Sequence, residues 1–172
     1  MGVTTTTASA ATYVPIETHT LVSAASSITF GTGGTIPSTY TDLVLISNQI
    51  LTGGPVNVLV TVNGDTGNNY SGTYVGGDGT SAFSGRGTGN AAFLPTYMST
   101  TINTTIHYFM NYTNTNIYKT ILARSSTTNT NTLAYVGLWR NTAAISSITL
   151  TPNAGNNFAA NSQFTIYGIK AA

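Results

Sequence analysis

Valines at positions 56, 58, 60 and 62 alternate with Asn57, Leu59 and Thr61, and this period of two is what most limits the folds open to the chain. Successive side chains of a strand point to opposite faces of a sheet, whereas a helical face repeats every 3.6 residues. The same alternation recurs in Ile106, Tyr108, Met110 and Tyr112, and again near the C-terminus, where Phe164 and Ile166 oppose Tyr167 and Ile169. No stretch of useful length carries the helical period. Such patterning also fixes register, because a slip of one residue would turn a core face to water.

Strand-like runs rich in Thr, Val, Ile and Tyr fall at 17–22, 27–30, 42–50, 56–62, 70–75, 92–98, 101–112, 117–124, 132–140, 146–150 and 164–170, separated by Gly, Asn, Pro and Ser clusters. This spacing predicts an all-β protein, an antiparallel β-sandwich with jelly-roll-like character. The run "DLVLIS" is apolar on both faces, which suits a central strand or one beneath an interface. Residues 1–15 are rich in Thr and Ala and lack alternation, so they read as an extended N-terminal arm ahead of a single domain over 16–172. Residues 63–90 form the most glycine-rich stretch, interrupted by Tyr70, Tyr74 and Phe83. They read as a long excursion with one short strand inside it.

Charge excludes several functions. Only 5% of residues are charged and the formal net charge is +1, far below the usual quarter of a globular chain. Arg86, Lys119, Arg124, Arg140 and Lys170 are scattered singly, whereas a nucleic-acid binder needs clustered cations to neutralise phosphates. A chain this neutral also lacks the repulsion that keeps free proteins apart, which fits a life inside an assembly. There are no cysteines, so thiolate and disulfide chemistry are out. The opening residues show no basic and apolar leader pattern, and no apolar run reaches membrane-spanning length.

Little chemistry is visible. The four carboxylates are Glu17, Asp42, Asp65 and Asp78. Asp65 and Asp78 share the glycine-rich excursion, yet each sits in an Asx-type turn sequence, Asn-Gly-Asp and Gly-Asp-Gly. "NGDTGNN" offers one carboxylate where a calcium loop needs more. His19 and His107 lie in separate strands without a third ligand at metal-site spacing. "GRGTG" at 85–89 lacks the following helix that a phosphate cradle requires. No catalytic residue, metal or cofactor is therefore assigned. Trp139 falls on an alternating face with Leu133, Tyr135 and Gly137, where core packing ranks ahead of a ligand platform. Tyr70 and Tyr74 have less apolar company, and tyrosines suit both interfaces and sugar stacking. With Arg86 they form the candidate interaction loop.

The segments "IPSTYTDLVL", "VNGDTGNNYS", "GLWRNTAAISSITLTPNAGNNF" and "SQFTIYGIKAA" occur in that order. Together they resemble small structural proteins of tailed bacteriophages, especially those of aquatic bacteria, from about Ile28 to the C-terminus. The resemblance implies a virion protein at the outer surface of the particle. Three functions then compete. The first is a capsid decoration or cement protein, a homotrimer binding the major capsid protein, with an assembly arm that includes Val3, Thr4, Tyr13, Val14 and Pro15. The second is a tail fibre or receptor-binding module that contacts a host surface glycan through Tyr70, Tyr74 and Arg86. The third is an enzyme acting on such glycans, for which the acids are few. The chain has no evident shaft or attachment domain, which favours decoration. Neither nucleic acid nor membrane is an expected partner.

Overall fold

The computed structural model describes residues 12–95, 97–127 and 131–170. Among them there is no helix. The strands are β1 (Tyr13–Thr20), β2 (Ile28–Phe30), β3 (Asp42–Gln49), β4 (Val56–Val62), β5 (Tyr70–Gly77), β6 (Ala82–Asn90), β7 (Tyr97–Met98), β8 (Asn103–Met110), β9 (Lys119–Thr127), β10 (Thr132–Trp139), β11 (Ile148–Pro152) and β12 (Gln163–Ile169). They form an eight-stranded sheet, β1-β12-β3-β8-β9-β10-β5-β6, and a four-stranded sheet, β2-β11-β4-β7. Every pairing is antiparallel. The expected all-β sandwich is the observed architecture.

The chain alternates between the layers. β1, β3, β8 and β12 belong to the large sheet, and β2, β4, β7 and β11 to the small one. Two antiparallel pairs, β5–β6 after β4 and β9–β10 after β8, are added to the large sheet beyond β8. The small sheet thus has four strands to cover eight, and part of the large sheet's inner face extends past it.

One hydrophobic cluster joins the layers. Leu43, Leu45, Phe109, Ile121, Phe164 and Ile166 come from the large sheet, and Phe30, Val58, Val60, Val62, Ile148 and Leu150 from the small one. The valine run that predicted a strand works as expected, with Val58, Val60 and Val62 buried. β3 is central, between β12 and β8, and Val44 on its outer face is 1% exposed, so "DLVLIS" is covered on both sides. The closing segment is β12, paired with β1 and β3.

Two boundaries differ from expectation. Tyr13, Val14 and Pro15, expected in the arm, open β1, where Tyr13 pairs with Ile169 and Pro15 with Tyr167. β1 is an edge strand, and an edge tolerates a proline because one side of the strand needs no ladder donor. Val3 and Thr4 lie outside the described residues. The second difference is β6, which no apolar alternation announced. Its inward positions include Gly85 and Gly87, so the strand pattern is present in direction but not in hydrophobicity.

Candidate functional site

The turn after β4 explains how the base of the added hairpin is held. Asn63 and Gly64 both have positive φ, 52° and 66°, a conformation that glycine takes freely and asparagine tolerates. Asn63 donates through its amide to the Ala144 carbonyl at 2.7 Å and accepts from Ser146 N–H at 2.8 Å. Asp65 accepts from Gly67 N–H at 2.8 Å, from the Asn69 amide at 2.9 Å and from the Trp139 indole N–H at 2.6 Å. Burial pushes the Asp65 carboxyl up, but the donors Trp139, Asn69 and Gly67 outweigh it and hold it below its ordinary value. Asp78 likewise closes its own turn, accepting from Thr80 N–H at 2.9 Å and Ser81 N–H at 2.6 Å. Both carboxylates are structural acceptors, as the turn sequences predicted.

Tyr70 requires a correction. It was expected on an exposed excursion, but it is completely buried. Its ring packs edge-on to Phe93 at 4.8 Å and stacks with Trp139 at 6.4 Å. Its hydroxyl donates to the Asp65 carbonyl at 2.8 Å and accepts from Val62 N–H at 3.2 Å. Burial pushes its phenol up to about 12. Tyr70 is the inward residue at the base of β5, so the two-residue period delivers it to the core. Trp139 is buried beside it, as expected.

Tyr74 lies four residues further along the same face, and its surroundings differ. A cleft of about 470 Å³ opens there, where the small sheet ends, lined by Tyr74, Phe83, Leu133, Tyr135, Asn90 and Asn131 among others. Asn57 at the start of β4 and Leu94 form its wall on the small-sheet side, and Ser125 and Thr127 of β9 contribute hydroxyls. Glycines set the position of the rings. A Cβ at Gly85 would stand 2.4 Å from the Tyr74 hydroxyl, one at Gly72 would stand 2.0 Å from that of Tyr135, and one at Gly76 would stand 2.5 Å from the Phe83 ring. Each aromatic lies across a glycine of the adjacent strand, which spreads the rings over the sheet. Tyr74 and Phe83 pack edge to face at 6.4 Å and 60°, and both remain half-buried. Arg86, on β6, borders this cleft and also a shallow depression on the opposite face. Of the three interaction residues expected in the loop, Tyr74 lies in the cleft, Arg86 borders it from a position whose register partner, Thr73, is on the opposite face, and Tyr70 is elsewhere, in the core.

A buried polar row approaches the cleft from the interior. Ser47 pairs in register with Thr105, Thr105 with Ser125, and Ser125 with Leu133. The Ser47 and Thr105 hydroxyls are 2.6 Å apart, and the Gln49 amide donates to both, at 2.6 and 3.0 Å. His107, one register step away, is 1% exposed and neither ring nitrogen has a hydrogen-bond partner. Burial lowers its pKa to about 4; the backbone of Leu45, its cross-strand neighbour, pulls the other way but is not in hydrogen-bonding geometry. His107 is therefore neutral at pH 7. Among the described residues no three His, Asp or Glu side chains gather as metal ligands.

The outer face of the large sheet carries a second feature. Val136, Leu122, Tyr108, Val44 and Tyr167 stand in one cross-strand row over five adjacent strands. The next row contains Val75, Ala134, Ile106 and Ile46, with Arg124 between Ala134 and Ile106. Val75, Val136, Met110 and Leu122 are 59%, 54%, 39% and 38% exposed. Sequence reading missed this face, although the alternation held the signal: Leu122, Val136 and Val75 are apolar at positions out of phase with the core.

No protein-family model matches the chain, and no curated protein matches it either.

Proposed function

We propose that this protein is a non-enzymatic virion structural subunit, a capsid decoration or cement protein of jelly-roll type that self-associates through the outer face of its large sheet. The observation that carries the reading is that face. Large contiguous apolar patches on a protein surface mark contact sites. From strand and residue spacings the two rows cover roughly 300–400 Å², the size of a functional surface patch and about half of the roughly 800 Å² per partner of a standard interface. Its occupant is a further copy of the chain. A net charge of +1 imposes little repulsion between copies, and the patch offers Arg124 as its one charge within the two rows. A shallow depression of about 570 Å³ around Arg124, Ile106 and Ala134 gives the face relief for a partner to fill.

The strand order supports the jelly-roll part of the proposal. Without the two added hairpins, β1-β12-β3-β8 lies against β2-β11-β4-β7, the arrangement of two Greek keys that recurs in viral capsid and lectin domains. Cohesion by apolar and hydrogen-bonding contacts is insensitive to salt, and binding to the assembled particle stabilises it by mass action. The native mass of the purified protein tests the reading. A trimer that becomes monomeric on Val136→Glu or Leu122→Glu supports it, and a wild-type monomer at high concentration sinks it. The cleft favours a second reading, recognition of a host surface glycan by a tail-associated module. Copy number per particle separates the two, with hundreds expected for a head protein and a few dozen or fewer for a tail protein.

A further inference from the structure

We infer that the cleft beneath the β5–β6 hairpin is a binding site for an uncharged sugar ring, stacked on Tyr74, flanked by Phe83 and held at its edge by the surrounding amides and hydroxyls. The inference deepens the second reading of function, but it concerns the isolated protein and does not depend on where that protein sits.

The lining of the cleft matches such a ligand. A pyranose has one face of C–H bonds and an equator of hydroxyls, so its complement is an aromatic plane bordered by amides. Tyr74 supplies a plane and Phe83, inclined to it at 60°, a wall beside it, and each ring leans over a glycine of the adjacent strand. Asn90 supplies an amide that both donates and accepts, Ser125 and Thr127 supply hydroxyls, and Asn57 and Asn131 complete the polar lining. Among the described residues no carboxylate lines the cleft, and Arg86 at its border is the one cation. That composition suits a neutral polar ligand and gives no counter-charge set for a phosphate or a cationic group. At about 470 Å³ the cleft lies within the range of small-molecule sites, roughly 300–1,000 Å³. The site is also rigidly based, because Tyr70, Trp139 and Asp65 lock the foot of the same hairpin.

The purified full-length protein is titrated with neutral disaccharides, namely maltose, cellobiose, lactose and N,N′-diacetylchitobiose. Saturation-transfer NMR detects contact and calorimetry gives the affinity, with sialyllactose and glucose 6-phosphate as charged comparisons. At least one neutral sugar is expected to bind with a Kd on the order of 1 mM or tighter. Tyr74→Ala and Phe83→Ala each weaken it by about tenfold or more. Val22→Ala, in the exposed turn after β1 at the other edge of the large sheet, leaves it unchanged. If Tyr74→Ala alters the thermal melt, Asn90→Ala serves in its place, since that side chain borders the cleft from the end of β6. Absence of binding to all four sugars overturns the proposal. So does binding by the charged sugars alone, or affinity indifferent to Tyr74, Phe83 and Asn90. Failure of the assembly reading shows instead as a monomeric native mass and leaves these results standing.

Discussion

Tyr70 and Tyr74 project from the same face of one strand, four residues apart, and the structure puts them to opposite uses. At the base of β5, Tyr70 is enclosed by Phe93 and Trp139 and hydrogen-bonded through its hydroxyl. Towards the tip, Tyr74 lies over Gly85 and forms part of an open cleft. Alternation decides which face a residue takes, but only the second layer decides whether that face is core. The small sheet reaches the base of the hairpin and stops short of its tip. At the tip, where no layer follows, Gly85 and Gly76 leave room for Tyr74 and Phe83 to lean over the neighbouring strand, and a surface is made instead of an interior.

The sharpest way to break this contrast is to truncate each tyrosine. Tyr70→Ala leaves a cavity in a packed aromatic cluster and orphans Val62 N–H, so the loss is about 3–5 kcal/mol. Tyr74→Ala removes a half-buried ring from a cleft that solvent refills, with a loss of about 1–2 kcal/mol. Urea denaturation of both variants checks the difference. Equal losses would show that the hairpin tip is as much core as its base.

The second test asks how dry the interior is behind the cleft. His107 shares a register row with Ala123, Tyr135 and Tyr74. Its pKa falls from an ordinary 6.5 to about 4 in the folded protein because burial disfavours the cation. The unfolded state therefore binds the proton more readily between those values. Stability is fully present above pH 6.5 and declines as pH falls towards 4, by about 3 kcal/mol. Denaturation at about pH 7 and about pH 5 should show the decline in the wild type and a flatter response in His107→Leu. A flat wild-type profile would mean that solvent reaches the ring from the cleft side.

Asp65 gives a smaller effect at the locked end. Asp65→Ala removes the acceptor for the buried Trp139 indole and two further donors, and about 1–3 kcal/mol is expected from the unsatisfied indole. Intrinsic tryptophan fluorescence should report the released ring, and an unshifted spectrum with unchanged stability would remove Asp65 from the anchor.

Most strands were legible because period two is visible wherever the inward residues are apolar, as in Val58, Val60 and Val62. β6 was not, since after Phe83 its inward positions pass to Gly85 and Gly87, and glycine carries no hydrophobic signal. Tyr70 was misread for a related reason: its sequence neighbours are polar turn residues, and its apolar company, Phe93 and Trp139, comes from distant segments. The cleft depends on five separate stretches of chain meeting at the margin of the small sheet. Only Tyr74 and Arg86 among its residues could be nominated in advance, and they stood out for local composition, not for geometry.

The same margin predicts how glycines respond to a methyl group. Gly137, on β10 at the base end, would place a Cβ 2.5 Å from the Phe93 ring and 2.7 Å from Ile121, both fully packed. Neither neighbour can withdraw, and Gly137→Ala is expected to cost about 1–3 kcal/mol as overpacking. At Gly85 the clash is numerically as severe, but the obstacle is the hydroxyl end of Tyr74, a half-buried ring with open cleft beside it. Gly85→Ala should therefore cost less, within about 1 kcal/mol, by swinging the ring outward. Its larger consequence would fall on the stacking plane, so sugar affinity should drop while the melting temperature barely moves. If Gly85→Ala proves as destabilising as Gly137→Ala, Tyr74 is fixed in place by packing, and the cleft is more rigid than its exposure suggests.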